Sequence, residues 1–278
     1  MATITAQDIN KLRQATAAGM ADCKKALTET NGDFEAAIDW LRKQGQKVAA
    51  KRGDRETKEG VIVAKTTDDN KTGIIVCLSC ETDFVSKNDD FVTFAKNITD
   101  TILASGVNTL EAATALAFDG ATIQDKIDEQ VAKIGEKITI SRFEVLTSNF
   151  VASYIHGAYR MGVLVSYNKA IDAAGAKDVA MQIAAMNPLA INEDGISADV
   201  LAREKAIIVE TMKADPKMEG KPEEMIFKIA EGKMGAFLKE NTLYAQQFVK
   251  DSAITVADFI KTLDKEAQVL AFSRVQLG

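Results

Sequence analysis

VIVAKTTDDNKTGIIVCLSCETDFVSKNDDF, residues 61–91, decides how the chain folds. VIVAKT and GIIVCLS flank the polar turn TDDNK, which is the pattern of a β-hairpin. Further on, Phe91, Phe94, Ala95, Ile98 and Ile102 recur at helical spacing. Between strand and helix stands TDFV, with Asp83 beside Phe84 where a strand ends and a loop begins. Periodicity leaves two fates open for Phe84. It packs into the core, the commoner fate of an aromatic, or it points outward.

Working downstream, two more helical segments are expected near 109–117 and 122–134. In the second, Ile123, Ile127, Val131 and Ile134 form one stripe. KITISRFEVL, 137–146, alternates as a half-buried strand does. The order then recurs. FVASYI and MGVLVSY bracket HGAYR as a second hairpin, and a helix near 178–187 places Val179, Ile183 and Ala184 on one face. Hairpin followed by helix, twice, predicts an α+β fold of two related core subdomains, 61–145 and 146–278. Each is a small sheet with helices on one side. The inference rests on element order, since the halves share little sequence.

The second half carries an insert. Residues 197–239 read as two highly charged helices around the turn ADPKMEGK. Val200, Leu201, Ile207 and Ile208 mark the first, and Pro222 opens the second. Arms this polar bury little, so the pair either projects or meets a partner. A helix at 255–263 and a strand AFSRVQL complete a C-terminal module, 255–278.

Upstream, the first 45 residues read as three short helices. Thr5 caps the first, with Asp8 three residues on. In the third, Phe34, Ala37, Ile38 and Leu41 recur at helical spacing after the turn NGD. QKVAAKRGDRETKEG, 46–60, is a charged linker, helical at most at its start. Its basic run is a solvated tether or a weak contact to an acidic or RNA surface.

Composition narrows the function. The chain has 278 residues, 46% hydrophobic, and a net charge of −6. That acidic balance suits a protein partner better than a phosphate backbone. The N-terminus lacks an apolar signal core, and every apolar run is broken before membrane length, so a cytoplasmic protein without a membrane partner is expected. The three cysteines make no disulfide framework. CLSC superficially matches a metal or redox half-site, but residues three apart on a strand face opposite sides. Buried apolar thiols in a reducing compartment are the plainer reading.

No glycine-rich nucleotide loop and no HExxH are present, and His156 is the one histidine. It falls in the expected turn between strands, with nothing in sequence to activate it as a catalyst. A turn role or a partner contact remains. The acidic pairs Asp68–Asp69, Asp89–Asp90 and Glu223–Glu224 sit at turns or helix starts, where they suit the helix dipole. No enzyme class, cofactor or metal is indicated.

LRQATAAGMADCKKAL (12–27) and IIVCLSCETDFVSKNDDF (74–91) resemble signatures of the elongation factor Ts family. VAKIGEKITISR (131–142), YIHGAYRMGVLV (154–165) and QQFVKD (core 247–251) extend the resemblance along the chain. It implies a guanine-nucleotide exchange factor whose partner is the GTPase elongation factor Tu, acting without covalent chemistry. It implies a ubiquitin-associated-like (UBA-like) three-helix unit, two related α+β subdomains and an antiparallel coiled-coil hairpin, which also offers a route to self-association. By match, Thr82, Asp83, Phe84 and Val85 form an intruding tip that disturbs the partner's Mg²⁺ and phosphate site. Leu12, Met20, His156 and Gly157 match partner-binding positions. No direct, specific nucleic-acid contact is implied. The chain departs from the family pattern at Ala17, where glycine is usual, at Ala21, where methionine is common, and at Gln247, where proline is usual. A passive module that sequesters a GTPase without exchanging its nucleotide is the alternative.

Overall fold

Why do the strands of both hairpins read as continuous apolar runs rather than alternating ones? The computed structural model describes residues 3–16, 18–218 and 221–278, and in it both faces of each sheet are covered. Three helices come first: α1 (Ala6–Thr16), α2 (Met20–Glu29) and α3 (Phe34–Lys51). Strands β1 (Glu59–Thr66) and β2 (Thr72–Cys80) form the expected hairpin. The short helix α4 (Asp83–Ser86), then α5 (Asp89–Ser105) and α6 (Leu110–Thr114), follow. A two-residue ladder of β3 (Ala117–Phe118) and β4 (Ala121–Thr122) leads into α7 (Ile123–Ile134). Strand β5 (Thr139–Thr147) then pairs beside β2, giving an antiparallel sheet in the order β1-β2-β5.

The second half repeats this path. Strands β6 (Phe150–His156) and β7 (Met161–Tyr167) form a hairpin, and α8 (Ala173–Met186) follows. Helices α9 (Ala198–Ala214) and α10 (Glu223–Asn241) form the insert. After β8 (Gln247–Phe248), β9 (Asp251–Thr255) and α11 (Val256–Leu263), strand β10 (Val269–Gln276) pairs beside β7. In each half, then, a hairpin is followed by helices and a third strand that joins the hairpin's second strand. The fold is α+β, and the two sheets share one strand order, with the hairpin's second strand at the centre.

Each sheet packs helices on one face. Val61, Val63, Ile74, Val76 and Leu78 meet α5 and α7, while Phe150, Ala152, Val163, Val165 and Tyr167 meet α8 and α11. The opposite faces pack on each other through Ile62, Ala64, Ile75 and Cys77 from one sheet and Val151, Leu164 and Val275 from the other. Cys77 and Cys80 accordingly lie in different cores, and all three cysteines are free and buried. Gly162 permits the close approach of the sheets. A Cβ there would stand 2.7 Å from Ile62 Cγ2 and 3.4 Å from Ala64 Cβ. Gly162→Val is therefore expected to destabilise the chain by about 3 kcal/mol through overpacking, measured by chemical denaturation.

Capping follows the sequence. Thr5 and Asp8 cap reciprocally: the Thr5 N–H donates to Asp8 Oδ2 at 2.9 Å and the Asp8 N–H to Thr5 Oγ1 at 3.2 Å. Asp33 Oδ1 accepts from the Ala36 N–H at 3.0 Å. Helix α3 runs on through Lys51, and its later half packs along α7. A Cβ on Gly45 would stand 3.0 Å from the Asp128 carbonyl oxygen, so the two helices touch almost backbone to backbone there. The insert is a helical pair. Its base is closed where the Leu189 N–H donates to the Asn241 carbonyl (2.8 Å) and the Leu243 N–H to the Ala190 carbonyl (2.9 Å). Near its far end Lys213 meets Glu223 at 3.3 Å. Met212, Ile226 and Ala230 are its small buried seam. Ala17, and Glu219 and Gly220 of the expected turn, lie outside the described residues.

Candidate functional site

Strand β2 ends at Cys80, and the next five residues divide inward from outward. Cys80 is core, and burial, with the Glu136 carboxylate second, pushes its thiol up to about 12, so it stays protonated at neutral pH. Thr82 opens α4, but its hydroxyl does not cap the helix. It donates instead to Glu136 Oε1 at 2.6 Å. Val85 turns inward onto the first core. Phe84 turns outward and is 85% exposed. TDFV is thus a helical turn, where the sequence suggested a loop. Its anchors are Thr82 and Val85, and its projecting side chain is Phe84. The groove beside Phe84 is lined by Asn88, Phe91, Gln130 and Ile134.

Asp83 is occupied. Its Oδ2 accepts from Lys87 Nζ at 2.6 Å, one helical turn on, and this contact lowers its carboxyl below the usual range. Asn88 then caps α5 through the Asp90 and Phe91 N–H groups, so the chain re-enters regular structure within a few residues.

Beneath the turn lies a polar knot that the sequence did not reveal. The Glu81 and Thr82 N–H groups both donate to Glu136 Oε2 at 3.0 Å. In return the Lys137 N–H donates to Glu81 Oε1 at 2.6 Å. Arg52 (3.3 Å) and Arg55 (2.9 Å) close on the same Glu81 carboxylate. Burial opposes ionisation of Glu81, but the Lys137 amide with Arg55 and Arg52 outweighs it and holds the carboxyl below its ordinary value. Lys137 Nζ also donates to the carbonyls of Gly53 (2.6 Å) and Arg55 (2.9 Å). The charged segment after α3 is therefore fastened to the base of the turn. The sequence signal was faint: GEK in 131–142 shows only a glutamate after a glycine.

His156 is the last residue of β6, paired with Met161, rather than a turn residue. The reason is that the turn needs only Gly157–Arg160, in which Gly157, Ala158 and Tyr159 all take positive φ (61°, 52° and 68°). The His156 ring lies 2.9 Å from Tyr154 Oη through Nδ1, while Asp83 pairs with Lys87. The turn is pinned to the first sheet: the Ile62 N–H donates to the Tyr159 carbonyl (2.8 Å), and Arg160 meets Glu59 at 2.8 Å. Glu59 pairs across from Cys80, so this turn, α4 and the end of α3 gather at one end of the first sheet.

Two expected contact residues separate. Met20 begins α2 and is 50% exposed. Leu12 is 0% exposed, at the centre of a core with Cys23, Ala26, Leu27 and Ala37. Its apolar side chain faces the other two helices, so it shapes this unit without offering a surface. Ala21 is exposed, so the smaller side chain there leaves no hole in the core.

The family model described as elongation factor TS matches residues 81–278, which include the turn, Glu81, Glu136 and Lys137 of the knot, and the second half. The chain belongs to the elongation factor Ts family. Similarity extends over the remainder as well. A protein named elongation factor Ts from Christiangramia forsetii is 48% identical over 100% of both chains. One of that name from Flavobacterium psychrophilum is 49% identical over 100% of both, and one from Amoebophilus asiaticus is 48% identical over 99% of both. Membership makes this a translation elongation factor, with its place in protein biosynthesis. Among the described residues no helix is long and apolar enough to cross a membrane.

Proposed function

We propose that the chain binds elongation factor Tu·GDP in the cytoplasm and promotes GDP release by inserting the Thr82–Val85 turn beside the GTPase's Mg²⁺ and phosphate site. Family membership supports the partner. The single observation that carries the mechanism is Phe84: a large aromatic, 85% exposed, on a turn held from below at Thr82 and Val85. Of the exposed large hydrophobic side chains among the described residues it is the most exposed, and it stands where the family resemblance puts an intruding tip.

A GTPase holds its phosphates with backbone N–H groups, a lysine and Mg²⁺. An exchange factor needs no covalent step. It must bind the nucleotide-free partner better than the nucleotide-bound one, and linkage then weakens nucleotide in the complex by the same factor. A 1,000-fold weakening requires coupling of about 4 kcal/mol. Phe84 supplies an apolar wedge able to displace a partner helix. Because Lys87 already neutralises Asp83, most of the disturbance falls to Phe84, with Asp83 acting when Lys87 is drawn away. Met20, in a UBA-like unit, grips the nucleotide-binding domain, while Leu12 holds that unit's shape. His156 and Gly157 add a contact from the second half. The α9–α10 pair serves as an antiparallel coiled coil.

The test is release of fluorescent GDP from elongation factor Tu. Acceleration by catalytic amounts of the chain is the expected result. Acceleration only at stoichiometric amounts, or none, would favour the passive sequestering module instead.

A further inference from the structure

We propose that Glu136 is the positioning residue of the Thr82–Val85 turn, its single carboxylate fixing the direction in which Phe84 leaves the body. The turn is four residues of helix, far too short to hold its own geometry. Of its first hydrogen-bonding groups, the Glu81 N–H, the Thr82 N–H and the Thr82 hydroxyl all converge on Glu136. Three donors to one side chain define its position and rotation together. Val85 supplies a fourth anchor on the core side, so the only unheld large side chain is Phe84.

Glu136 is itself placed with care. Gly135 ends α7 in the left-handed region at φ 81°, its N–H donating to the Val131 carbonyl at 2.9 Å. That reversal delivers Glu136 under the end of β2. The next residue is held in turn by Glu81, through the Lys137 N–H. Glu136 thus holds the backbone of Glu81, Glu81 holds the backbone of Lys137, and Arg52 and Arg55 join from beyond α3.

The functional half of this inference rests on the turn being the working part proposed above, so the experiment reads placement and exchange separately. Glu136→Ala and Glu136→Gln are compared with the unaltered chain by amide hydrogen exchange, melting, and GDP release at varied concentration. In Glu136→Ala, the Glu81, Thr82 and Ser86 amides are expected to exchange about tenfold faster, because the first two lose their acceptor and the third bonds the Thr82 carbonyl that they hold in place. Helices α8 and α11 should be unaffected. Maximal stimulated release should fall about tenfold, with the half-saturating concentration changed by less than about twofold. Glu136→Gln should recover most of both, since its carbonyl still accepts and its amide can donate to the Thr82 hydroxyl. Unchanged exchange at Glu81, Thr82 and Ser86, or loosening that spreads through both sheets, overturns the proposal. So does equal damage from both variants, which would point to charge rather than geometry. If those three amides loosen while release is unchanged, Phe84→Ala decides. Should that variant be silent as well, placement by Glu136 stands and the functional reading of the turn fails. Should it slow release, the direction of Phe84 is immaterial and the proposal falls.

Discussion

Phe84→Ala is expected to cut stimulated GDP release by roughly thirty-fold, the equivalent of about 2 kcal/mol for an aromatic anchor, while the free protein melts within about 1 °C of the unaltered chain. A side chain 85% exposed has little packing to lose, so truncation costs the free fold almost nothing. Phe91, seven residues on and 3% exposed, is the internal control. Phe91→Ala removes a buried ring and should cost about 3–5 kcal/mol. Were Phe84→Ala to melt like Phe91→Ala, the ring would be packing and not a wedge. Were both melting and release unchanged, the exchange reading would lose its main support. Adding Asp83→Asn should have the smaller effect, because the Asp83 charge is already shared with Lys87 at 2.6 Å.

The neighbourhood of Phe84 also shows what sequence can and cannot carry. The stripes Phe91–Ala95–Ile98–Ile102 and Ile123–Ile127–Val131 came straight from period, because each helix buries one face against a sheet. The two hairpins were visible from their turns. The stacking of the two sheets was not, although VIVA and GVLV hint at it: runs without alternation mean burial on both sides. A four-residue helix has too few positions to show a period, so α4 read as a loop. The direction of Phe84 followed from family resemblance, and its exposure agrees. Glu136 was beyond reach, since its partners lie 54 and 55 residues away and a glutamate after a helix looks like any solvated one. Leu12, matched to a partner-binding position, lies buried for a reason that the motif does not show. A residue essential to a binding unit looks the same in a motif whether it touches the partner or holds up the surface that does.

Leu12→Ala separates those roles. The N-terminal core is small, with five fully buried side chains of which Leu12 is one of the two largest. Truncating a buried leucine costs about 2–5 kcal/mol, a large share of what so small a unit can hold. Helix α3 remains docked on α7, so the loss should appear in α1 and α2. Trp40 reports it cleanly: it is the only tryptophan, it packs against this core, and Lys25 Nζ lies 5.7 Å from its ring centre. Its fluorescence should change in a separate, earlier transition, while circular dichroism of the two sheets keeps its original midpoint. Affinity for elongation factor Tu should fall with the loss of α1 and α2. Met20→Ala, at a half-exposed position, should weaken affinity and leave the Trp40 transition where it was. If Leu12→Ala instead abolished binding with the Trp40 transition unmoved, Leu12 would have to leave its core and meet the partner directly. Nothing else in the unit would explain that result, because every other face of Leu12 is occupied by its own helices.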